Sequence, residues 1–163
     1  MKNVVVIYRG VPGSGKSTAA FNRAYANAQE GSTSCIVSAD NYFMRTGRYI
    51  FEPAKLRNAH EDCFNRFLDA LIRKTGTIIV DNTNTQLWEF MTYLKVAVIA
   101  GYEFEVIEFR PQDAAELQRW AERCIHRVPH DKVKQMNDRF EPFIEDEFRK
   151  SILCNVKVGS DES

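Results

Sequence analysis

The sequence predicts a three-layer α/β sandwich, in which a central parallel sheet of four to five strands has helices on both faces. Short runs rich in Val and Ile alternate with amphipathic stretches along the 163-residue chain. This alternation is typical of parallel sheets, because parallel neighbours need a crossover that is usually a helix. The first run, Val4-Val5-Val6-Ile7-Tyr8, is apolar throughout, as in a strand buried on both faces. We therefore expect one domain over residues 1–158 and a short flexible tail over 159–163.

The composition is that of an ordinary globular domain, with 44% apolar and 27% charged residues. The formal net charge is zero, so bulk charge does not indicate a broad nucleic-acid-binding face. No apolar run approaches the roughly 20 residues of a membrane span. Met1-Lys2-Asn3 leads directly into the first strand, so we expect no signal peptide. Four widely spaced cysteines without metal-ligand spacing fit reduced thiols and a cytoplasmic location.

A glycine-rich motif, Gly10-Val11-Pro12-Gly13-Ser14-Gly15-Lys16-Ser17-Thr18, separates the first strand from a helix predicted over Ser17–Gln29. Strand, Gly-x-x-x-x-Gly-Lys-Ser and helix in this order predict a P-loop. The backbone from Gly13 to Thr18 is expected to bind the phosphates of ATP, with Lys16 reaching the β- and γ-phosphates. The Ser17 hydroxyl is expected to ligate Mg²⁺.

Two predicted strands lead to an aspartate. Asp40 lies just after Ser34-Cys35-Ile36-Val37-Ser38, and Asp81 ends Thr77-Ile78-Ile79-Val80-Asp81. Ligands of open parallel sheets bind outside the carboxyl ends of the strands, so both acids are placed for chemistry. We expect Asp40 to accept a proton from an attacking hydroxyl and Asp81 to hold Mg²⁺. Either aspartate could instead cap the turn that follows it.

The remaining elements continue the alternation. After the second strand the sequence predicts a helix from Pro53 to about Lys74. The third strand is followed by a helix that Thr85 caps and that ends at Gly101. A strand over 103–109 and a helix that Asp113 caps come next. Beyond a break at Pro129 it predicts a helix over 130–140, a helix that begins at Pro142 and a fifth strand over 152–158.

Arg123 and Arg127 lie four residues apart, just before Val128-Pro129. A helix that ends in arginines over a nucleotide resembles the lid of small kinases, so we expect a lid over about 119–133 with both arginines facing the transferred phosphoryl group. Arg119 would extend the stripe. The alternative is a solvated basic face paired with Glu116 and Glu122.

The segment 41–52 mixes arginines and aromatic residues around a glycine. Arg45 and Arg48 could hold a phosphodiester, and Tyr42 could stack on a base. The alternative is an aromatic loop that packs on the core.

With these residues assembled, the chain resembles the kinase domain of bacteriophage polynucleotide kinase-phosphatase and related zeta-toxin-like P-loop proteins of AAA type. The resemblance rests on the P-loop, Asp40, Thr83-Asn84 and Arg123-x-x-x-Arg127. A kinase-like domain of animal ubiquitin-ligase-binding proteins is more similar still. The elements shared with that domain are Ser38-Ala39-Asp40, Tyr49-x-Phe51-x-Pro53, Ala59-His60, Ile79-Val80-Asp81-Asn82-Thr83-Asn84, Trp88-Glu89 and Cys124-Ile125-His126.

The resemblance implies an adenylate-kinase-like P-loop NTPase fold and a Mg²⁺- and ATP-dependent kinase for a nucleic-acid hydroxyl, most simply a 5′-OH end of DNA or RNA. It makes Asp40 the base, Arg127 the lid arginine and Asn84 part of the substrate site. The phage enzyme has an arginine three residues after its base, where this chain has Phe43, so Arg45 or Arg48 would have to substitute. The phage enzyme's acid after the third strand aligns with Asn82, and Asp81 supplies the carboxylate here. We expect no phosphatase domain to follow.

Three alternatives remain open from sequence. The first is a phage-encoded DNA-modification kinase, acting in the host cytoplasm on 5-hydroxymethyl groups of flipped bases. The second is a small-molecule or nucleotide kinase. The third is a nucleotide-binding interaction module without transfer activity, for which a base at Asp40 would have no use.

Overall fold

Four parallel strands form the central sheet of the computed structural model, which describes residues 2–44, 47–124 and 126–157, with side chains up to 153. The strands, in the spatial order β2-β3-β1-β4, are β1 (Val4–Gly10), β2 (Ser34–Val37), β3 (Thr77–Asp81) and β4 (Glu103–Phe109). In register, Val4 of β1 pairs with Thr77 of β3 and with Glu103 of β4. The predicted parallel α/β sheet is confirmed. The tail predicted over 159–163 and Arg45 lie outside the described residues.

Seven helices connect and cover these strands in the described part of the chain. They are α1 (Lys16–Gln29), α2 (Asp40–Phe43), α3 (Leu56–Ile72), α4 (Met91–Ile99), α5 (Ala114–Glu122), α6 (His130–Asp138) and α7 (Glu145–Lys157). One face of the sheet packs with α3, α4 and α7 around a large core that includes Phe67, Leu94 and Phe148. The other face packs against α1 through Val6, Ile79 and Ala20. The three predicted layers are therefore present.

The fifth strand predicted over 152–158 is wrong, because residues 145–157 form α7. Three acids in the first turn of α7 favour a helix, since they interact with the positive end of its dipole. The packing reinforces this, because Phe148 is buried and its ring lies edge-on to Phe104 of β4 at 5.2 Å. Ile152, one helical turn later, packs against the same core.

The helix predicted from Thr85 to Gly101 is divided into a 3₁₀ turn over Leu87–Glu89 and α4. Phe90 separates the two, with a φ of −132° that is not helical. The turn is capped by Gln86, which forms a capping box with Glu89, and Thr85 is not the capping residue. Asp113, by contrast, caps α5 as predicted, because its carboxylate accepts a hydrogen bond from the backbone N–H of Glu116 at 2.7 Å.

Arg9, at the carboxyl end of β1, fixes the segments that surround the site. Its side chain is fully buried between the rings of Phe90 and Phe140, each 4.5 Å from the guanidinium. Its N–H groups bind the Glu108 carboxylate and three backbone carbonyls, those of Asn84, Thr85 and Glu141. These four hydrogen bonds offset much of the cost of burying a charge. Desolvation nevertheless lowers the pKa of Arg9.

None of the described helices combines the length and the apolar character that a membrane span needs.

Candidate active site

The glycine-rich loop lies between β1 and α1 at the carboxyl edge of the sheet. Gly13 and Gly15 have φ values of +78° and +94°, in the left-handed region that favours glycine. Gly13 is also enclosed, since a Cβ there would lie 1.9 Å from the carbonyl oxygen of Trp120 in α5. The loop therefore has the backbone shape of a phosphate-binding P-loop, and α5 packs directly against it at Gly13.

Lys16 lies inside this loop with 7% of its surface exposed. Its ammonium donates to the Val11 carbonyl at 3.0 Å and to the Ser14 hydroxyl at 3.2 Å. Burial lowers the pKa of Lys16 to about 8, although the charges of Asp81 and Asp40 act in the opposite direction. The lysine is thus pointed into the predicted phosphate site and lies within electrostatic reach of both aspartates.

Ser17 and Asp81 are brought together as the sequence predicts for a magnesium site. The Ser17 hydroxyl hydrogen-bonds the Asp81 carboxylate, while burial raises the pKa of Asp81. Hydroxyl and carboxylate oxygens suit a hard cation, and Mg²⁺ usually takes its other ligands from water and substrate phosphates. No group of three or more His, Cys, Asp or Glu among the described residues could hold a metal alone. The pair therefore fits a magnesium ion that arrives with a nucleotide.

Asp40 begins α2 directly beyond the carboxyl end of β2, and its side chain is 54% exposed. The preceding residue is fixed because the backbone N–H of Ala39 donates to the Asn82 amide oxygen at 2.9 Å. One Asp40 carboxylate oxygen accepts from the Tyr49 hydroxyl at 3.3 Å, and the other lies 3.7 Å from Nε2 of His126. Asp40 therefore combines a fixed backbone with an accessible carboxylate, as a general base requires.

Tyr49 and His126 form a contact between the segment after α2 and the predicted lid. Their rings lie 4.0 Å apart, centroid to centroid. Burial is the main reason that the pKa of the Tyr49 hydroxyl is raised. We call this pair with Asp40 the Asp40 clamp. Sequence reasoning assigned His126 no role in the site, and the stretch shared with the animal domain, Cys124-Ile125-His126, was the available signal.

Arg123 lies on the P-loop. Its Nε donates to the Gly13 carbonyl at 2.5 Å, and one terminal guanidinium nitrogen would be 3.9 Å from a Cβ on Gly15. Among the described residues, no ion pair joins Arg123 to Glu116 or Glu122, the alternative pairing. These two acids accept hydrogen bonds from the backbone N–H of Gln112 and the side-chain amide of Gln118.

Arg127 stands apart from these contacts. It is exposed, has a φ of +51°, and forms no ion pair among the described residues. The left-handed conformation is uncommon outside glycine, so the backbone at Arg127 holds a specific turn of the predicted lid segment.

The predicted substrate residues are not all brought together. Arg48 is exposed, while Tyr42 is half-buried with its ring 5.5 Å from Phe43 in an edge contact. Phe43, which replaces the arginine of the phage enzyme, is buried and packs against Tyr49 and Phe51. The aromatic part of this segment thus packs on the core, the alternative left open by the sequence.

Asn84 corrects the sequence interpretation. It is only 1% exposed and its amide donates to the Tyr8 carbonyl at 2.8 Å. Its own carbonyl accepts from Arg9, and its φ is +46°. The Asn84 side chain therefore joins β1 to the segment after β3 and is not available to a substrate.

Together, the parallel sheet, the glycine-rich loop with its buried lysine and the Ser17–Asp81 pair define a P-loop NTPase fold. The comparison with known families agrees. The profile of the AAA_33 family, described as an AAA domain, matches residues 5–143, and the chain belongs to that family.

The curated relatives include NEDD4-binding protein 2 of Homo sapiens, which is 37% identical over 144 residues. The match covers 86% of this chain but 8% of the human protein. This chain therefore corresponds to a small part of that relative. The resemblance to the animal domain, inferred from sequence, is confirmed.

Solved structures with the same fold include kinases. The Pnkp1/Rnl/Hen1 RNA repair complex matches with a TM-score of 0.60 and 18% identity, over 85% of this chain and 44% of the other. The APS kinase CysC of Mycobacterium tuberculosis, in complex with AMPPNP and APS, matches with a TM-score of 0.56 and 18% identity, over 79% and 78%. At these identities the likeness establishes the fold alone.

Proposed function

We propose that this protein is an ATP-dependent kinase that transfers the γ-phosphate to a hydroxyl of a nucleic acid, in the first instance the 5′-OH end of DNA or RNA. The observation that carries the proposal is the position of Asp40. Its exposed carboxylate lies beside the P-loop, close enough to influence the pKa values of both Lys16 and Asp81. A protein that only bound nucleotide would have no use for a clamped base there.

In this proposal the loop from Gly13 to Thr18 binds the phosphates of ATP through backbone N–H groups and the start of α1. Lys16 places its ammonium between the β- and γ-phosphates. Bound at Ser17 and Asp81, Mg²⁺ would neutralise phosphate charge. These groups hold the phosphoryl group in line with the acceptor, which is most of what a loose transition state requires.

Asp40 completes the transfer by accepting the proton of the acceptor hydroxyl as its oxygen bonds to the γ-phosphorus. The bond from the γ-phosphorus to the bridging oxygen breaks at the same time, and ADP leaves with that electron pair. Arg123, anchored on the Gly13 carbonyl, and Arg127 then supply positive charge to the equatorial oxygens. Tyr49 and His126 orient the Asp40 carboxylate between them.

A nucleic-acid acceptor is favoured by one structural likeness and by the sequence resemblance. One structural neighbour is an RNA repair complex that contains Pnkp1. The P-loop, Asp40, Thr83-Asn84 and Arg123-x-x-x-Arg127 resemble the kinase domain of bacteriophage polynucleotide kinase-phosphatase. The exposed Arg48 lies in the segment between Asp40 and α3, where an acceptor phosphate would approach.

The proposal is tested by following labelled γ-phosphate from ATP into a panel of acceptors. The panel contains 5′-OH single-stranded DNA and RNA, duplex DNA with 5-hydroxymethylated bases, mononucleosides and adenosine 5′-phosphosulfate. We expect label on 5′-OH polynucleotides. Label on the hydroxymethylated duplex alone would identify the acceptor as a modified base and not as a 5′ end. Label on small molecules alone would contradict a nucleic-acid acceptor. No labelled product from any acceptor would contradict the proposed kinase activity.

A further inference from the structure

A cleft opens between α3 and the segment that leads into α4, on the sheet face opposite α1. Its volume is about 230 Å³, and it is lined by His60, Phe64, Trp88, Glu89, Thr92 and Tyr93. Three of these six side chains are aromatic. The reaction described above uses none of them.

The aromatic walls are held in fixed positions. Tyr93 is buried, its ring meets Phe64 edge-on at 5.1 Å, and its hydroxyl donates to the Cys63 thiol at 3.4 Å. Trp88 forms the open side, with 73% of its surface exposed. Its indole N–H donates to the Gln86 side chain at 3.3 Å, so one edge of the ring is anchored. An anchored, exposed indole beside two further rings is a stacking platform.

The cleft is connected to the proposed base through a short series of contacts. The Asn82 amide donates to Cys63, whose thiol also accepts the Tyr93 hydroxyl. The oxygen of the same Asn82 amide accepts the backbone N–H of Ala39, the residue before Asp40. Two side chains, those of Cys63 and Asn82, therefore connect Tyr93 in the cleft wall to the residue before Asp40.

The charges around the cleft suit a phosphodiester. Arg57 lies one turn before His60 on α3, and Lys95 lies one turn after Thr92 on α4. Both are exposed, and neither forms an ion pair within the described residues. The acid in the lining, Glu89, is already engaged by the Thr85 hydroxyl and the Gln86 N–H. Both cations remain available to an anionic chain that passes over the cleft.

We propose that this cleft binds one unpaired nucleobase of the acceptor strand, stacked on Trp88, while Arg57 and Lys95 contact the adjoining phosphates. A flat base fits between aromatic walls, and stacking of this kind is tolerant of sequence. This inference rests on the proposed function. It assigns the cleft to a base of the acceptor strand that lies away from the reacting hydroxyl.

The test combines kinetics with fluorescence. In Trp88→Ala, the KM for a single-stranded 5′-OH oligonucleotide should rise about 5- to 150-fold, the range for loss of a stacking aromatic, with kcat unchanged. Trp88→Phe should restore most of the affinity. Tyr25→Ala is the matched control, because Tyr25 is a 61% exposed aromatic on α1, on the other face of the sheet. An unchanged KM in Trp88→Ala overturns the proposal.

Titration without ATP provides a second measurement. The oligonucleotide should quench indole emission in the wild type and leave Trp88→Phe, which retains Trp120, unquenched. An abasic site moved along the oligonucleotide should weaken binding at one position in the wild type and have no effect there in Trp88→Ala. An equal loss of binding in both proteins overturns the proposal that the cleft binds a base. If the wild type phosphorylates no polynucleotide, the proposed function fails, but this titration still shows whether the cleft binds a base.

Discussion

The buried Lys16 predicts that nucleotide binding is coupled to proton uptake. Without nucleotide its pKa is lowered to about 8, mainly because the ammonium is removed from water. The free protein would then hold this proton in about half of its molecules at pH 8 and about a tenth at pH 9. Phosphate oxygens beside the ammonium favour its charged form, so the bound state keeps the proton across this range.

The size of the effect follows from these fractions. ATP binding should take up about 0.1 proton at pH 7, about 0.5 at pH 8 and about 0.9 at pH 9. The same linkage should weaken the Kd for ATP about tenfold between pH 7 and pH 9, because more of the free protein must first be protonated. The sign is fixed, since a lowered lysine pKa in the free state always opposes an anionic ligand at higher pH.

The assay is isothermal titration calorimetry at pH 8 in buffers of different ionisation enthalpy. The slope of the observed enthalpy against the buffer enthalpy gives the number of protons taken up. Lys16→Ala is the control, and it should bind ATP more weakly and show almost no uptake. A slope near zero in the wild type refutes the reasoning, and the same slope in both proteins assigns the proton to another group.

Three further predictions follow from the site. Asp81→Asn should leave the Tm at pH 7 without nucleotide equal to or above that of the wild type while reducing Mg²⁺-dependent transfer. Burial raises the pKa of Asp81, so the contribution of this group to stability falls as pH rises above 3.8, and a lower Tm contradicts this. Gly13→Ala should lower the free energy of unfolding by at least about 2 kcal/mol, because a Cβ there would lie 1.9 Å from the Trp120 backbone. Gly101→Ala is the control and should lower it by only about 1 kcal/mol, because Gly101 has a φ of +80° but open space around it. Equal losses for the two variants in chemical denaturation would show that the Trp120 contact does not limit residue 13. Arg127→Ala should lower kcat at least about tenfold with little change in ATP affinity, and an unchanged kcat would make it a surface charge.

Much of the fold was predictable because β1, β2 and β3 are short, mainly apolar runs, whereas β4 alternates apolar and charged residues. The third and fourth strands have the predicted bounds, and the first two differ by at most two residues at either end. The error over 152–158 has a physical reason. The run Ile152-Leu153-Cys154 is as consistent with a buried helix segment as with a strand, and the packing of Phe148 on β4 decides between them.

The site divides in the same way. The P-loop and the aspartates after β2 and β3 were predictable because each is encoded by a local pattern. The Asp40 clamp was not, because His126 lies more than 70 residues after Asp40 and Tyr49 in the chain and meets them only in the folded structure. Asn84 shows the converse, since a polar residue after a strand looks available until its hydrogen bond to Tyr8 is seen.

The central claim is that a clamped Asp40 beside the P-loop transfers phosphate to a nucleic-acid hydroxyl. Its most direct test is single-turnover transfer of labelled γ-phosphate to a 5′-OH oligonucleotide by the wild type and by Asp40→Asn, with the Kd for ATP measured alongside. We expect efficient labelling by the wild type and a rate lower by about 100-fold or more in Asp40→Asn at nearly unchanged ATP affinity, as for loss of a general base. Equal rates in the two proteins, or no labelled oligonucleotide from the wild type, would contradict it.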